Sequence, residues 1–319
     1  MIPAFSRRGF TRFITSFAIG MAFTSACGPG WAAADVFDLD PDRDDLIHTA
    51  RNPAAIARLP EGFAFATPGF FTIANTASGG PPLSTYANDA KTVVGADPDI
   101  ARLIADALGL ELKTVVVAWA DWPLGLVSGK YDAVISNVGV TEERKEKFDF
   151  STYRQGLHGF FTLEGRGIGP IAEPKDIAGL RIIVGAGTNQ ERILLAWDKL
   201  NRAAGLSPAE LQYFDDEATR LIALRAGRAD VIVQPNAQLV YIAARDGDIR
   251  RVGTLSAGWP ERSDVAVTTR KGSGLAEAVT EAINGAIRDG SYAAVLERWQ
   301  LTEEALPESR TNPPGLPRY

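Results

Sequence analysis

The sequence predicts an α/β protein built on two mostly parallel sheets, and three observations carry that expectation. Short apolar runs alternate with stretches at helical spacing, the order that puts helical crossovers between parallel strands. One join occurs twice: Leu126-Val-Ser-Gly-Lys-Tyr-Asp132-Ala-Val-Ile is echoed by Leu224-Arg-Ala-Gly-Arg-Ala-Asp230-Val-Ile-Val, each a helix end, a glycine, a basic residue, an aspartate and an apolar strand. At 319 residues the chain is long enough for two domains of ordinary size.

The elements follow in order. Ser6-Arg7-Arg8-Gly9-Phe10-Thr11-Arg12 resembles a twin-arginine export signal, and the apolar stretch from Phe13 to Ala26 is too short and mild to span a membrane. Ala32-Ala33-Ala34 gives a small-x-small cleavage pattern, so residues 1–34 are expected to be an export signal, with a mature start near Asp35. Cys27 is the only cysteine and precedes that site, which leaves the mature chain without thiol chemistry. A rival reading makes Cys27 a lipidated N-terminus; Ala26 suits it and Thr24 does not. Residues 35–69 are acidic and broken by Pro41, Pro53, Pro60 and Pro68, and read as an N-terminal extension with one short helix near 44–58.

Phe70 to Ala74 reads as the first strand of the regular fold, followed by the polar loop Ser78-Gly79-Gly80-Pro81-Pro82. A helix is expected over 98–108, with Asp97 as N-cap, Pro98 as first residue, Ile100, Leu103, Ile104, Ala107 and Leu108 on one face, and Gly109 as stop. Val115 to Val117 is the next strand and Leu124 to Ser128 a short helix. Ala133-Val134-Ile135 then forms a buried strand ending in Ser136-Asn137-Val138-Gly139, and Thr141 caps a short charged helix carrying Arg144. A second series opens near Pro174. It has a strand from Arg181 to Gly185, a glycine turn into a helix over 190–204, a helix over 216–226 that stops at Gly227, and a strand from Asp230 to Val233. A strand over 264–269 and helices over 273–289 and 291–299 follow. The tail from Pro307 carries four prolines and is expected to be loose.

Composition narrows the functional classes. With 45% hydrophobic and 23% charged residues the chain is globular. The net charge is −6 and no basic stripe interleaves with aromatics, which argues against a nucleic-acid partner. His48 and His158 are the only histidines, too few for a histidine metal site or a histidine-based triad, and no cofactor is expected. The richest chemistry lies in residues 132–144. There a strand end gathers backbone N–H groups, a hydroxyl and a guanidinium, groups that suit a small carboxylate. The edge of an open α/β sheet is also where such sheets bind ligands. Against this, Arg144 sits among Glu142, Glu143, Lys145 and Glu146 and also fits a solvated charged face.

Four stretches together resemble the bacterial extracellular solute-binding proteins of family 3. They are Val94-Gly95-Ala96-Asp97-Pro98-Asp99-Ile100-Ala101; Leu126-x-x-Gly129-x-x-Asp132-Ala133; Ser136-x-x-x-Val140-Thr141-x-x-Arg144 with Phe148-x-Phe150-Ser151; and Gly187-Thr188-Asn189-Gln190-Glu191. The resemblance covers roughly 70–300. It implies the two-lobed, type II periplasmic-binding-protein fold with ligand in the interlobe cleft, lobe one being 70–156 plus 257–300, lobe two 157–256, and 301–319 a C-terminal tail. It also implies a monomeric, periplasmic substrate-binding component of an ABC importer that works with a separate membrane permease. By resemblance, Arg144 holds a ligand carboxylate, helped by backbone N–H groups near Asn137 and Gly139. Thr188 and Asn189 answer from lobe two, where N–H groups and the helix dipole point at an anion, and Trp119 packs on the ligand. Trp119 and Trp122 also fit a plain core, and Thr188 and Asn189 a plain cap. Gln234 and Asn236 end a strand on the cleft side and join the candidate list.

Departures from the family pattern concern the other end of the ligand. Pro235 stands where an ammonium-pairing aspartate is expected, Gly79 or Gly80 where an aromatic is expected, and Gly139 where a hydroxyl residue is expected. The carboxylate end is kept and the ammonium end altered. The ligand is then a modified amino acid, or a carboxylate without a free α-amine, or another acid such as Asp121 substitutes. A dehydratase on the same fold is the alternative, against which Gln234, Pro235, Asn236 and Gln238 offer no titratable acid; a sensor delivering ligand to a chemoreceptor is a third reading.

Overall fold

The computed structural model describes residues 37–77, 80–214, 216–262 and 264–318. The predicted export signal, with Cys27, lies outside the described residues, as does Gly79. Among the described residues, twelve strands and eight α-helices run in the order α1 (Pro53–Ile56), β1 (Phe70–Asn75), β2 (Thr85–Tyr86), β3 (Val93–Val94), α2 (Ala96–Leu108), β4 (Glu111–Val116), α3 (Trp122–Val127), β5 (Ala133–Val134), β6 (Phe148–Gln155), β7 (Leu157–Leu163), β8 (Arg181–Val184), α4 (Asn189–Ala203), β9 (Glu210–Tyr213), α5 (Glu217–Arg225), β10 (Val231–Pro235), α6 (Asn236–Asp246), β11 (Ile249–Ser256), β12 (Asp264–Arg270), α7 (Leu275–Asp289) and α8 (Ser291–Arg298).

Two five-stranded sheets share one plan: β4-β1-β5-β12-β6 in lobe one and, reading the other way, β9-β8-β10-β7-β11 in lobe two. In each, four strands run the same way and one, β12 or β7, runs against them. The sheets are therefore mostly parallel, as expected. The reversed strand and the edge strand beside it are the ones by which the chain travels between sheets, once from β6 to β7 through Gly156 and once from β11 to β12.

The repeated motif has one structural meaning. Asp132 accepts from the N–H groups of Ala66 and Thr72, both at 2.7 Å. Asp230 accepts from the Arg181 N–H at 2.9 Å and from the Arg181 and Arg166 guanidinium groups. Each aspartate thus pins the start of the strand beside it, and the glycine before it (Gly129, φ 76°; Gly227, φ 70°) turns the chain out of a helix.

Helix α2 begins earlier than the sequence pattern suggests. Gly95 is its N-cap, at φ 139°, and a Cβ there would stand 2.3 Å from the Leu83 carbonyl oxygen. Asp97 is consequently inside the first turn, not the cap. Its carboxylate accepts from the Tyr153 hydroxyl at 2.7 Å in the core, and Pro98 is the third helical residue rather than the first.

Two terminal expectations are corrected. Residues 37–69 do not lie apart from the core: Phe37 and Ala55 are buried in it, and Arg43 donates to both oxygens of Asp99 at 3.1 and 2.9 Å. The helix expected near 44–58 shrinks to α1, capped by the Asn52 side chain. The tail from Pro307 is not loose. It runs beside the lobe-one sheet, with the Thr152 N–H donating to Arg310, the Asn312 N–H to Phe150 and the Leu316 N–H to Val140, and Leu316 is fully buried. Its prolines suit an edge segment that needs only alternate hydrogen bonds.

Candidate functional site

The lobe-one half of the site follows from where β5 ends. The chain leaves the sheet in a loop, Asn137 takes a left-handed turn at φ 53°, and Gly139 pairs with Val265. The Thr141 hydroxyl accepts from the Arg144 N–H at 3.0 Å, starting the short 3-10 turn Arg144–Glu146, as the sequence indicated. That turn aims the guanidinium back across the loop. Arg144 donates to the Gly139 carbonyl at 2.9 Å, to the Asn189 side-chain oxygen at 3.2 Å and to the Gly187 carbonyl at 3.0 Å. Two of these partners belong to the lobe-two turn into α4, so Arg144 links the lobes.

A cavity of about 620 Å³ lies between the two sheets. Arg144, Asn137, Gly139, Trp119, Thr188, Asn189 and Gln234 all line it, and Asn236 does not. Asn236 opens α6, which starts directly after β10, and its side chain passes over Gly159 toward Arg251. Asp121 is exposed at the head of α3 and is not in the lining either, and Trp122 is a core residue.

Arg144 has neutral partners only: among the described residues no carboxylate lies within ion-pair distance of it. Burial pushes its guanidinium down to about 10, with Arg192 adding repulsion and Glu143 opposing it. It therefore stays protonated at neutral pH while lacking a counter-charge. The Trp119 and Trp122 rings stand 5.6 and 5.9 Å from it, close enough for modest cation–π attraction.

Lobe two meets this cation with the N-terminus of α4. Thr188 caps the helix, accepting from the Glu191 N–H at 3.2 Å and donating to the Gly185 carbonyl at 2.7 Å, so its hydroxyl is already engaged. Asn189 donates to the Ala257 carbonyl at 3.0 Å while accepting from Arg144, which fixes its amide on both sides. Gly139 is glycine for a local reason: a Cβ there would lie 2.4 Å from the Asn189 amide nitrogen. Asn137 is less available than expected. Its side-chain oxygen accepts from Arg154, and its N–H acts on the buried Asp97, whose carboxyl is raised by burial and held down by Arg154, the Tyr153 hydroxyl and that N–H.

Sequence reasoning missed His158 and Arg220, which also line the cavity, as does Gln238, noted from sequence only as a non-titrating neighbour of Gln234. His158 is buried on β7, neither ring nitrogen has a hydrogen-bond partner among the described residues, and burial drives it down to about 3, so it is neutral. No Asp or Glu is among the described lining residues.

The site is thus a cleft between two like α/β sheets, with a half-buried, uncompensated arginine beside a helix N-terminus. The chain matches the bacterial extracellular solute-binding proteins, family 3, over residues 73–302, and belongs to that family. It is 32% identical over 221 residues to the L-cystine-binding protein TcyJ of Escherichia coli (strain K12), covering 69% of this chain and 78% of that one. The ABC transporter glutamine-binding protein GlnH of Bacillus subtilis (strain 168) is 26% identical, covering 65% and 72%. Among solved structures, an ancestral arginine-binding protein bound to arginine aligns with a TM-score of 0.62 and 26% identity, over 72% of this chain and 98% of that one. The fold is thus the two-lobed α/β fold of amino-acid-binding receptors, and the predicted fold class holds.

Proposed function

We propose that this chain is the substrate-binding component of an ABC importer, exported to the periplasm, where it captures a polar amino acid or a related small carboxylate between its lobes and delivers it to a membrane permease. The observation that carries the reading is Arg144, a half-buried cation without a counter-charge that already touches both lobes. A carboxylate arriving there would supply that charge through a planar, two-pronged contact. It would favour the closed arrangement because only there do Arg144 and the α4 N-terminus face it together. The ligands named for relatives, L-cystine first among them, are the natural candidates.

The dehydratase reading needs a tuned acid in the cleft. The described lining includes no Asp or Glu, and burial holds His158 neutral. A thermal-shift panel of amino acids, betaines and small dicarboxylates, with L-cystine included, tests the proposal, since binding raises apparent stability by mass action. At least one amino acid should raise the melting temperature of the wild type and not of Arg144→Ala. An equal shift in that variant would remove Arg144 from the site, and turnover of a cyclic amino-acid precursor by pure protein would replace the proposal with the enzymatic one.

A further inference from the structure

The lobe-two wall holds polar groups that a single carboxylate at Arg144 leaves unused. Gln234 is 4% exposed and lines the cavity; its amide nitrogen donates to Glu217 at 2.7 Å, while its amide oxygen has no partner among the described residues. Glu217 has one oxygen engaged by that amide and the other buried without a partner, and burial raises its carboxyl above the usual range, with Gln234 and Arg220 holding it down. Arg220 also reaches the cavity. Its Nε donates to the Phe214 carbonyl at 2.9 Å, its Nη1 stands at a loose 3.9 Å from Glu217, and its Nη2 lies 3.5 Å from where a Cβ on Gly185 would be, on the cavity wall.

Such an arrangement is costly if nothing enters it. A buried amide oxygen without a hydrogen bond costs on the order of 1–3 kcal/mol, and a ligand that supplies a donor to Gln234 removes that cost. Arg220 and Gln234 present a cation and a neutral acceptor to the cavity, while Glu217, outside its lining, holds the Gln234 amide. That set complements a head group carrying both a carboxylate and an ammonium. The cavity's 620 Å³ is about twenty times the volume a water molecule occupies in the liquid, room for more than one compact amino acid.

We propose that Arg220 and Gln234, the latter held in place by Glu217, form a second subsite in lobe two that receives a second charged head, so that the preferred ligands are two-headed amino acids with a carboxylate and an ammonium at each end. This rests on the reading that Arg144 takes the first carboxylate.

The test is calorimetric titration of the wild type and Arg220→Gln with L-cystine, which has two heads, and S-methyl-L-cysteine, which has one. L-cystine should bind the wild type at least about tenfold tighter, the equivalent of one well-made charged hydrogen bond, and Arg220→Gln should bring that ratio near one. Equal affinities in the wild type would overturn the proposal without any variant, and an unchanged ratio in Arg220→Gln would overturn the role of Arg220. Failure of the Arg144 reading shows differently, as S-methyl-L-cysteine binding that survives in Arg144→Ala.

Discussion

The two lobes repeat the same scaffold and then part company at the ends of equivalent strands. Asp132 and Asp230 each pin a neighbouring strand, and β5 and β10 occupy the same place in their sheets. After β5 the chain opens into a loop that ends in Arg144. After β10 it turns at Pro235 straight into α6, leaving the neutral Gln234 at the cavity. Duplicated residues therefore mark the frame, and unduplicated ones mark the ligand. One lobe supplies an uncompensated charge, the other mostly dipoles and neutral acceptors.

The sharpest way to break the comparison is to truncate both strand-end groups. Arg144→Ala should weaken binding of the best amino acid from the panel by about 2–5 kcal/mol, the usual loss when one member of a buried charged contact is removed, whereas Gln234→Ala should cost less than about 1.5 kcal/mol in the same titration. Equal losses would mean the lobes share the carboxylate.

The matched aspartates should differ in stability. The Arg181 side chain holds Asp230 below the usual carboxylate range, so its contribution is present at neutral pH and lost as pH falls through that lowered value. Burial raises Asp132, outweighing the Ala66 and Thr72 N–H groups, so its ionisation at neutral pH is a cost that falling pH relieves. Asp230→Asn should therefore destabilise by about 1.5–3 kcal/mol and Asp132→Asn by about 1 kcal/mol in urea unfolding at pH 7. A reversed order would contradict the assigned shifts.

Gly139→Ala should reduce affinity about tenfold with little change in denaturant midpoint, because the added methyl meets Asn189 only when the lobes are together. Combining it with Asn189→Gly should restore part of the loss. His158 gives the smallest effect at neutral pH. Its folded value near 3 lies below the ordinary 6.5, so the unfolded chain binds more protons between them and stability falls as pH drops through that window, by up to about 1.4 kcal/mol per pH unit. His158→Gln should flatten the acid side of a stability–pH profile; an unchanged slope would place the histidine elsewhere.

Much of this frame was legible in the sequence. The glycine stops after α2 and α5, the cap at Thr188 and the Asp132–Asp230 echo all report local backbone needs, and local needs leave local signals. Strand β12 was legible, but β6 and β7 were not, because their buried residues include Ser151, Thr152, Arg154 and His158, which break any apolar run. Three of those polar groups are satisfied only by distant segments: Ser151 donates to Ala276, Thr152 accepts from the Arg310 N–H, and Arg154 pairs with Glu304. The tail looked loose for the same reason, since its partners are strands far back in the chain. Arg220 left no trace in sequence, being one charged residue on a helix whose N-terminal turn happens to reach the cavity.

The central claim is that Arg144 reads a carboxylate. The most direct measurement is calorimetry of the wild type with the tightest-binding amino acid from the panel and with the amine made by removing its carboxylate. The amino acid should bind and the amine should give no saturable heat; comparable affinities for the two would contradict the claim.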